Sequence, residues 1–144
     1  MGIICNKYFR KEKRGFLGKT TEMQQEWVAL KYLILSKSQS DYRMIGKLCA
    51  DNEWDEEKEQ QFRSYLQHAL AEPPKKGNLL NAYQHVWGYF KHKATKLERE
   101  KYEELIKTFS LEQDELAPFL KELTLNYQEQ YLLQSRLLFP KEEQ

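Results

Sequence analysis

Leu79-Leu80-Asn81-Ala82-Tyr83-Gln84-His85-Val86-Trp87-Gly88-Tyr89-Phe90-Lys91 reads as a helix with two unlike sides. At about 100° per residue, Leu79, Leu80, Tyr83, Val86, Trp87 and Phe90 gather into one apolar sector. Asn81, His85, Gly88 and His92 project from the other side. A glycine inside a helix costs roughly 1 kcal/mol relative to alanine, and it usually marks close approach of another backbone or a ligand. The far side therefore fits two arrangements. It packs on a second layer of helices with His85 hydrogen-bonded internally, or it forms a ligand or catalytic site.

Working outward from this helix, expected over 78–94, the chain is punctuated by helix signals on both sides. Before it lie Pro73-Pro74 and the loop Lys75-Lys76-Gly77-Asn78, which end a helix expected over 55–72, because a residue preceding proline avoids the α region. Phe62, Tyr65, Leu66, Ala69 and Leu70 are its expected buried stripe. The acidic run Asp51, Glu53, Asp55, Glu56, Glu57 and Glu59 reads as a solvated loop and a negatively charged first turn. A helix over about 40–51, capped by Ser38 or Ser40, carries Tyr42, Met44, Ile45, Leu48 and Cys49. Gly46 within it suggests close contact with another helix.

Thr20 or Thr21 is the expected cap of the first long helix, which runs to Lys37. Its second half, Leu30 to Leu35, is apolar on nearly every side except at Lys31, and a helix of that kind is central. Such a lysine ordinarily snorkels to water, and otherwise sits in a site where burial lowers its pKa or an anion is held. After the informative helix, Thr95-Lys96-Leu97-Glu98 is a capping box for a fifth helix to about Phe109. Ser110 offers a further start. Pro118 suits the first turn of a last helical segment over about 119–138.

The 144 residues include 6 Gly and 4 Pro, and no alternating β-branched run is long enough for a strand. The expected fold is a single all-α bundle of six or seven helices over residues 20–140, preceded by a basic arm over 1–19. The arm interleaves Tyr8, Phe9 and Phe16 with Lys7, Arg10, Lys11, Lys13 and Arg14. It either touches phosphates or docks its aromatics on the domain.

A net charge of +1 makes the chain as a whole neither strongly basic nor strongly acidic. Cys5 and Cys49 form no CxxC pattern, which fits a reducing compartment. Met1-Gly2-Ile3-Ile4-Cys5 has no apolar core long enough for a signal peptide. The expectation is a cytoplasmic chain with no membrane span, no metal site and no cofactor. Glycine-rich phosphate loops, zinc patterns and nucleophile elbows are all absent from the sequence.

Asn81, His85, Gly88, Tyr89, Phe90 and Lys91 resemble the signature of the YbgA-like family, a bacterial domain of unknown function, whose pattern is roughly N-x-x-x-H-x-x-G-Y-F-K/R. Lys31, Ser38, Tyr42, Arg43 and Gly46 are similar to a second family segment, and Tyr131-Leu132-Leu133-Gln134-Ser135-Arg136 to a third. The chain departs from the pattern at Trp27, Leu30 and Lys37, where relatives carry histidines. Relatives occur alone or fused to thiouracil-desulfidase-type domains. The resemblance thus implies an accessory role near modified-nucleobase chemistry, with such a desulfidase as a partner protein.

Three functions follow as expectations. In the first, Lys31, Tyr42, Arg43, Asn81, His85, Tyr89 and Lys91 bind an anionic planar ligand, such as a nucleotide or an RNA piece. In the second, the domain is a protein-interaction module or homodimer. In the third, it is a small enzyme with His85 as general acid or base and Lys31 as electrophile or amine.

Overall fold

The computed structural model describes residues 17–51 and 53–141, and among them the chain forms seven helices and no strand. They are α1 (Leu17–Lys37), α2 (Gln39–Ala50), α3 (Glu56–Leu70), α4 (Lys76–Trp87), α5 (Lys96–Thr108), α6 (Leu116–Tyr127) and α7 (Gln130–Leu133). The all-α class legible in the sequence is the class the chain adopts. Residues 1–16 of the expected basic arm lie outside the described residues. Leu17, Gly18 and Lys19 belong to α1, which starts ahead of the expected Thr20 or Thr21 cap.

Local chemistry sets the starts of three of these helices. Ser38 Oγ accepts from the Asp41 N–H at 3.2 Å at the start of α2. Asp55 Oδ1 accepts from the Lys58 N–H at 2.8 Å at the start of α3. Thr95 and Glu98 form the reciprocal capping box of α5, with bonds of 3.1 and 2.9 Å. Each such cap satisfies N–H groups that a helix start otherwise leaves without partners, and is worth about 1 kcal/mol.

The all-round apolar character of α1 has a direct structural consequence, because the helix is shared by two cores. Met23, Trp27, Leu30 and Ile34 pack with Ile45 and Cys49 of α2 and with Phe62, Leu66 and Ala69 of α3. Tyr32 and Leu35 pack with residues of α4, α5 and α6, among them Val86, Tyr102 and Leu120. An aromatic step reinforces each half: Trp27 meets Phe62 edge-on at 6.4 Å, and Trp87 stacks on Tyr102 at 4.1 Å. Full burial of each such side chain stabilises by roughly 1.5–3 kcal/mol.

Several expectations are corrected. The helix carrying His85 ends at Trp87, and Gly88 is its C-cap rather than a mid-helix residue. Residues 88–93 continue as tight turns, with the Phe90 N–H bonded to the Trp87 carbonyl at 2.8 Å. The atom nearest to where a Gly88 Cβ would stand is the His85 carbonyl oxygen at 3.2 Å, so the crowding comes from its own turn and not from a neighbouring helix. Gly46 faces open space, with nothing within 4 Å of where a Cβ would stand, so no helix approaches it. Ser110 starts no helix; its Oγ accepts from the Gln113 N–H across a bend.

Leu70, expected in the buried stripe of α3, is 41% exposed because the helix ends there. The final segment is not one helix. Gln128 adopts φ 52°, and its N–H and that of Glu129 bond back to the carbonyls of Leu125 and Thr124. This is a Schellman-type stop with glutamine in the place glycine usually takes. The chain then turns through α7 and returns to α1, where the Arg136 N–H donates to the Ala29 carbonyl at 2.8 Å.

Candidate functional site

Lys31 is only 3% exposed, so it does not snorkel. At about 100° per residue its position falls between the α1 face that enters one core and the face that enters the other. Its ammonium lies 5.5 Å from the centre of the Tyr32 ring. A cation at this distance over an aromatic face is attracted by the ring's quadrupole, more strongly where water is scarce.

His85 reaches the same seam from α4. The residue is exposed overall. One side of its ring nevertheless faces aromatic neighbours, with Tyr32 of α1 at 6.1 Å and Tyr42 of α2 at 6.5 Å. Partial burial, together with the positive charge of Lys31, holds the imidazole below the ordinary histidine pKa. Both causes disfavour the imidazolium, so His85 is neutral at pH 7. Among the described residues no carboxylate contacts it.

Tyrosines complete the neighbourhood. The hydroxyls of Tyr32 and Tyr89 are hydrogen-bonded at 3.1 Å, which joins α1 to the turn following α4. Tyr89 in turn stacks on Tyr131 of α7 at 5.8 Å with an interplanar angle of 15°. Burial pushes the Tyr32, Tyr42 and Tyr89 phenols above their ordinary range, so all three stay neutral donors.

Of the residues singled out from the sequence, Lys31, Tyr42, His85 and Tyr89 therefore share one neighbourhood. Arg43 and Lys91 are exposed and Asn81 is half-buried, and none makes a described contact with the cluster. Tyr32 and Tyr131 belong to it but were not among the expected site residues. Tyr32 sits inside an apolar run and counts there as core, although a buried tyrosine hydroxyl calls for a partner. Tyr131 is close to Tyr89 only because the chain folds back through α7.

Among the described residues no group of three or more His, Cys, Asp or Glu side chains is placed to hold a metal ion. No helix among them is long and apolar enough to cross a membrane. His68 stands apart from the seam. It is mostly exposed and hydrogen-bonds through Nδ1 to Asp41 Oδ2 at 2.6 Å, which raises its pKa.

A family model described as "Protein of unknown function (DUF1722)" matches residues 31–141. No curated protein and no solved structure matches the chain.

Proposed function

The chain belongs to the YbgA-like family, the DUF1722 proteins of unknown function, and from that premise we propose that it is an accessory, ligand-binding domain acting in modified-nucleobase or nucleotide metabolism. The observation that carries this reading is the buried Lys31 beside the tyrosine-walled, solvent-reachable His85. Aromatic faces suit a planar base, and stacking is worth about 1–3 kcal/mol per base. A cation held over the Tyr32 ring supplies positive potential for a phosphate or another anionic group. Neutral His85 presents one donor and one acceptor nitrogen to a base edge. A partner of the thiouracil-desulfidase type would carry out the chemistry on the bound group. General acid–base catalysis by His85 is a weaker reading, because among the described residues no carboxylate orients the imidazole.

The test is a titration of the full chain with uridine monophosphate, uridine and inorganic phosphate, followed through the His85 imidazole resonances. The monophosphate is expected to bind more tightly than either part alone and to raise the His85 pKa, since a nearby anion favours the imidazolium. Lys31→Met should weaken monophosphate binding while leaving uridine binding nearly unchanged. Saturable binding of none of the three at the His85 resonances would remove the proposal.

A further inference from the structure

Away from the His85 seam, the second half of α1, the end of α3 and the C-terminal segment line an open surface pocket of about 370 Å³. Its apolar lining comes from three separate parts of the chain: Leu30 and Leu33 of α1, Leu70 at the end of α3, and Leu137. Leu70 is one of the few large apolar side chains left substantially uncovered, and it lines this pocket. The walls are held by backbone bonds. The Arg136 N–H donates to the Ala29 carbonyl at 2.8 Å, and the Phe139 N–H donates to the Ser135 carbonyl at 2.9 Å. Lys37 Nζ ties the end of α1 to the Glu72 carbonyl at 3.0 Å just beyond α3.

The border is cationic. Arg136, Lys141 and Lys37 all line the cavity, and no acidic residue among the described ones does. Lys37 is engaged by the Glu72 carbonyl, whereas Arg136 and Lys141 form no ion pair among the described residues. The carboxylate of Glu72 is itself taken by Lys75 at 3.3 Å. An apolar lining with excess positive charge at its border is complementary to one class of ligand. We propose that this cavity binds a small amphipathic anion, with an apolar body of about ten carbons and a single carboxylate at one end; its volume lies in the range of ordinary small-molecule sites. The apolar body replaces water over the four leucines, and the carboxylate meets Arg136 and Lys141. Arginine is suited to this because its planar fork matches a carboxylate.

This site is separate from the tyrosine-walled seam, and its test does not depend on the seam. Decanoate, decanol and acetate are titrated into the full chain below micelle-forming concentrations, with the leucine methyl resonances and the His85 imidazole observed together. Decanoate should shift the Leu33 and Leu137 methyls saturably, at least tenfold more tightly than decanol. Acetate should not bind measurably, and the His85 resonances should stay in place. In Arg136→Gln/Lys141→Gln, decanoate should fall to the affinity of decanol, because the backbone bond from residue 136 to Ala29 is retained while the charges are gone. Lys141→Gln alone, at an exposed position, should give part of that loss with an unchanged melting temperature. Equal affinity for decanoate and decanol in the native chain overturns the proposal. So does decanoate binding that the double variant leaves intact, or the absence of saturable shifts at these leucines.

Discussion

Removing one hydroxyl from the Tyr32–Tyr89 pair should have very different consequences depending on which hydroxyl goes. The two are bonded at 3.1 Å, but Tyr32 is 4% exposed whereas Tyr89 is half-buried. Tyr32→Phe removes the buried partner, and the Tyr89 hydroxyl left behind can turn to water. The expected loss is that of one net hydrogen bond, about 0.5–1.5 kcal/mol. Tyr89→Phe removes the outer partner and leaves the Tyr32 hydroxyl inside with its bonded partner gone. That group then carries its desolvation cost, about 1–3 kcal/mol. In the double variant no orphan remains, so its loss should stay below the sum of the two single losses. Urea unfolding followed by tryptophan fluorescence measures all three, with an unchanged slope certifying that the midpoint shift reports stability. Trp27 and Trp87 lie in different cores and report on both halves. A larger loss for Tyr32→Phe than for Tyr89→Phe, or strict additivity in the double variant, would refute the assigned geometry.

The two shifted histidines should oppose one another in pH dependence. His85 has a lowered folded pKa, so between that value and the ordinary 6.5 the unfolded chain binds more protons, and stability falls as pH drops through this window. His68 has a raised pKa, so its contribution is fully present below 6.5 and fades as pH rises through the folded value. His85→Gln should flatten the acid-side loss in melting curves, and Asp41→Asn should bring the His68 titration, read by NMR, back towards 6.5. Two glycine exchanges of opposite sense should both stabilise. Gly46→Ala puts a methyl into open space on α2 and should gain about 0.5–1 kcal/mol. Gln128→Gly relieves a left-handed residue and should gain about 1 kcal/mol, each read as a rise in urea midpoint. Ile34→Ala and Leu35→Ala each empty a fully buried position, one in each core, and should each cost about 2–5 kcal/mol.

The helices themselves were legible in the sequence because what makes them is local. The Thr95–Glu98 capping box, the Ser38 cap and the break before Pro73-Pro74 all act between residues within a few positions of one another. The apolar run over Leu30–Leu35 announced a central helix for the same reason, since a helix with no polar face has to be covered all round. Helix ends were less legible. Gly88 directly follows the stop at Trp87, where a glycine can end a helix, but a glycine flanked by an apolar pattern on both sides reads equally as a mid-helix residue. The left-handed Gln128 has no glycine or proline beside it, so nothing local marks that stop.

What the tertiary structure alone decided is which neighbours those faces meet. The apolar pattern showed that α1 is buried but not that its two sides enter different cores, so the seam on which Lys31 lies was invisible. Tyr32 and Tyr89 stand 57 positions apart in the chain, and Arg136 docks on Ala29 across the whole domain. Periodicity names the face a side chain occupies. Only the packing of distant helices determines whether a lysine on that face reaches water or is enclosed, and whether the end of an apolar stripe, as at Leu70, is covered or left open over a cavity.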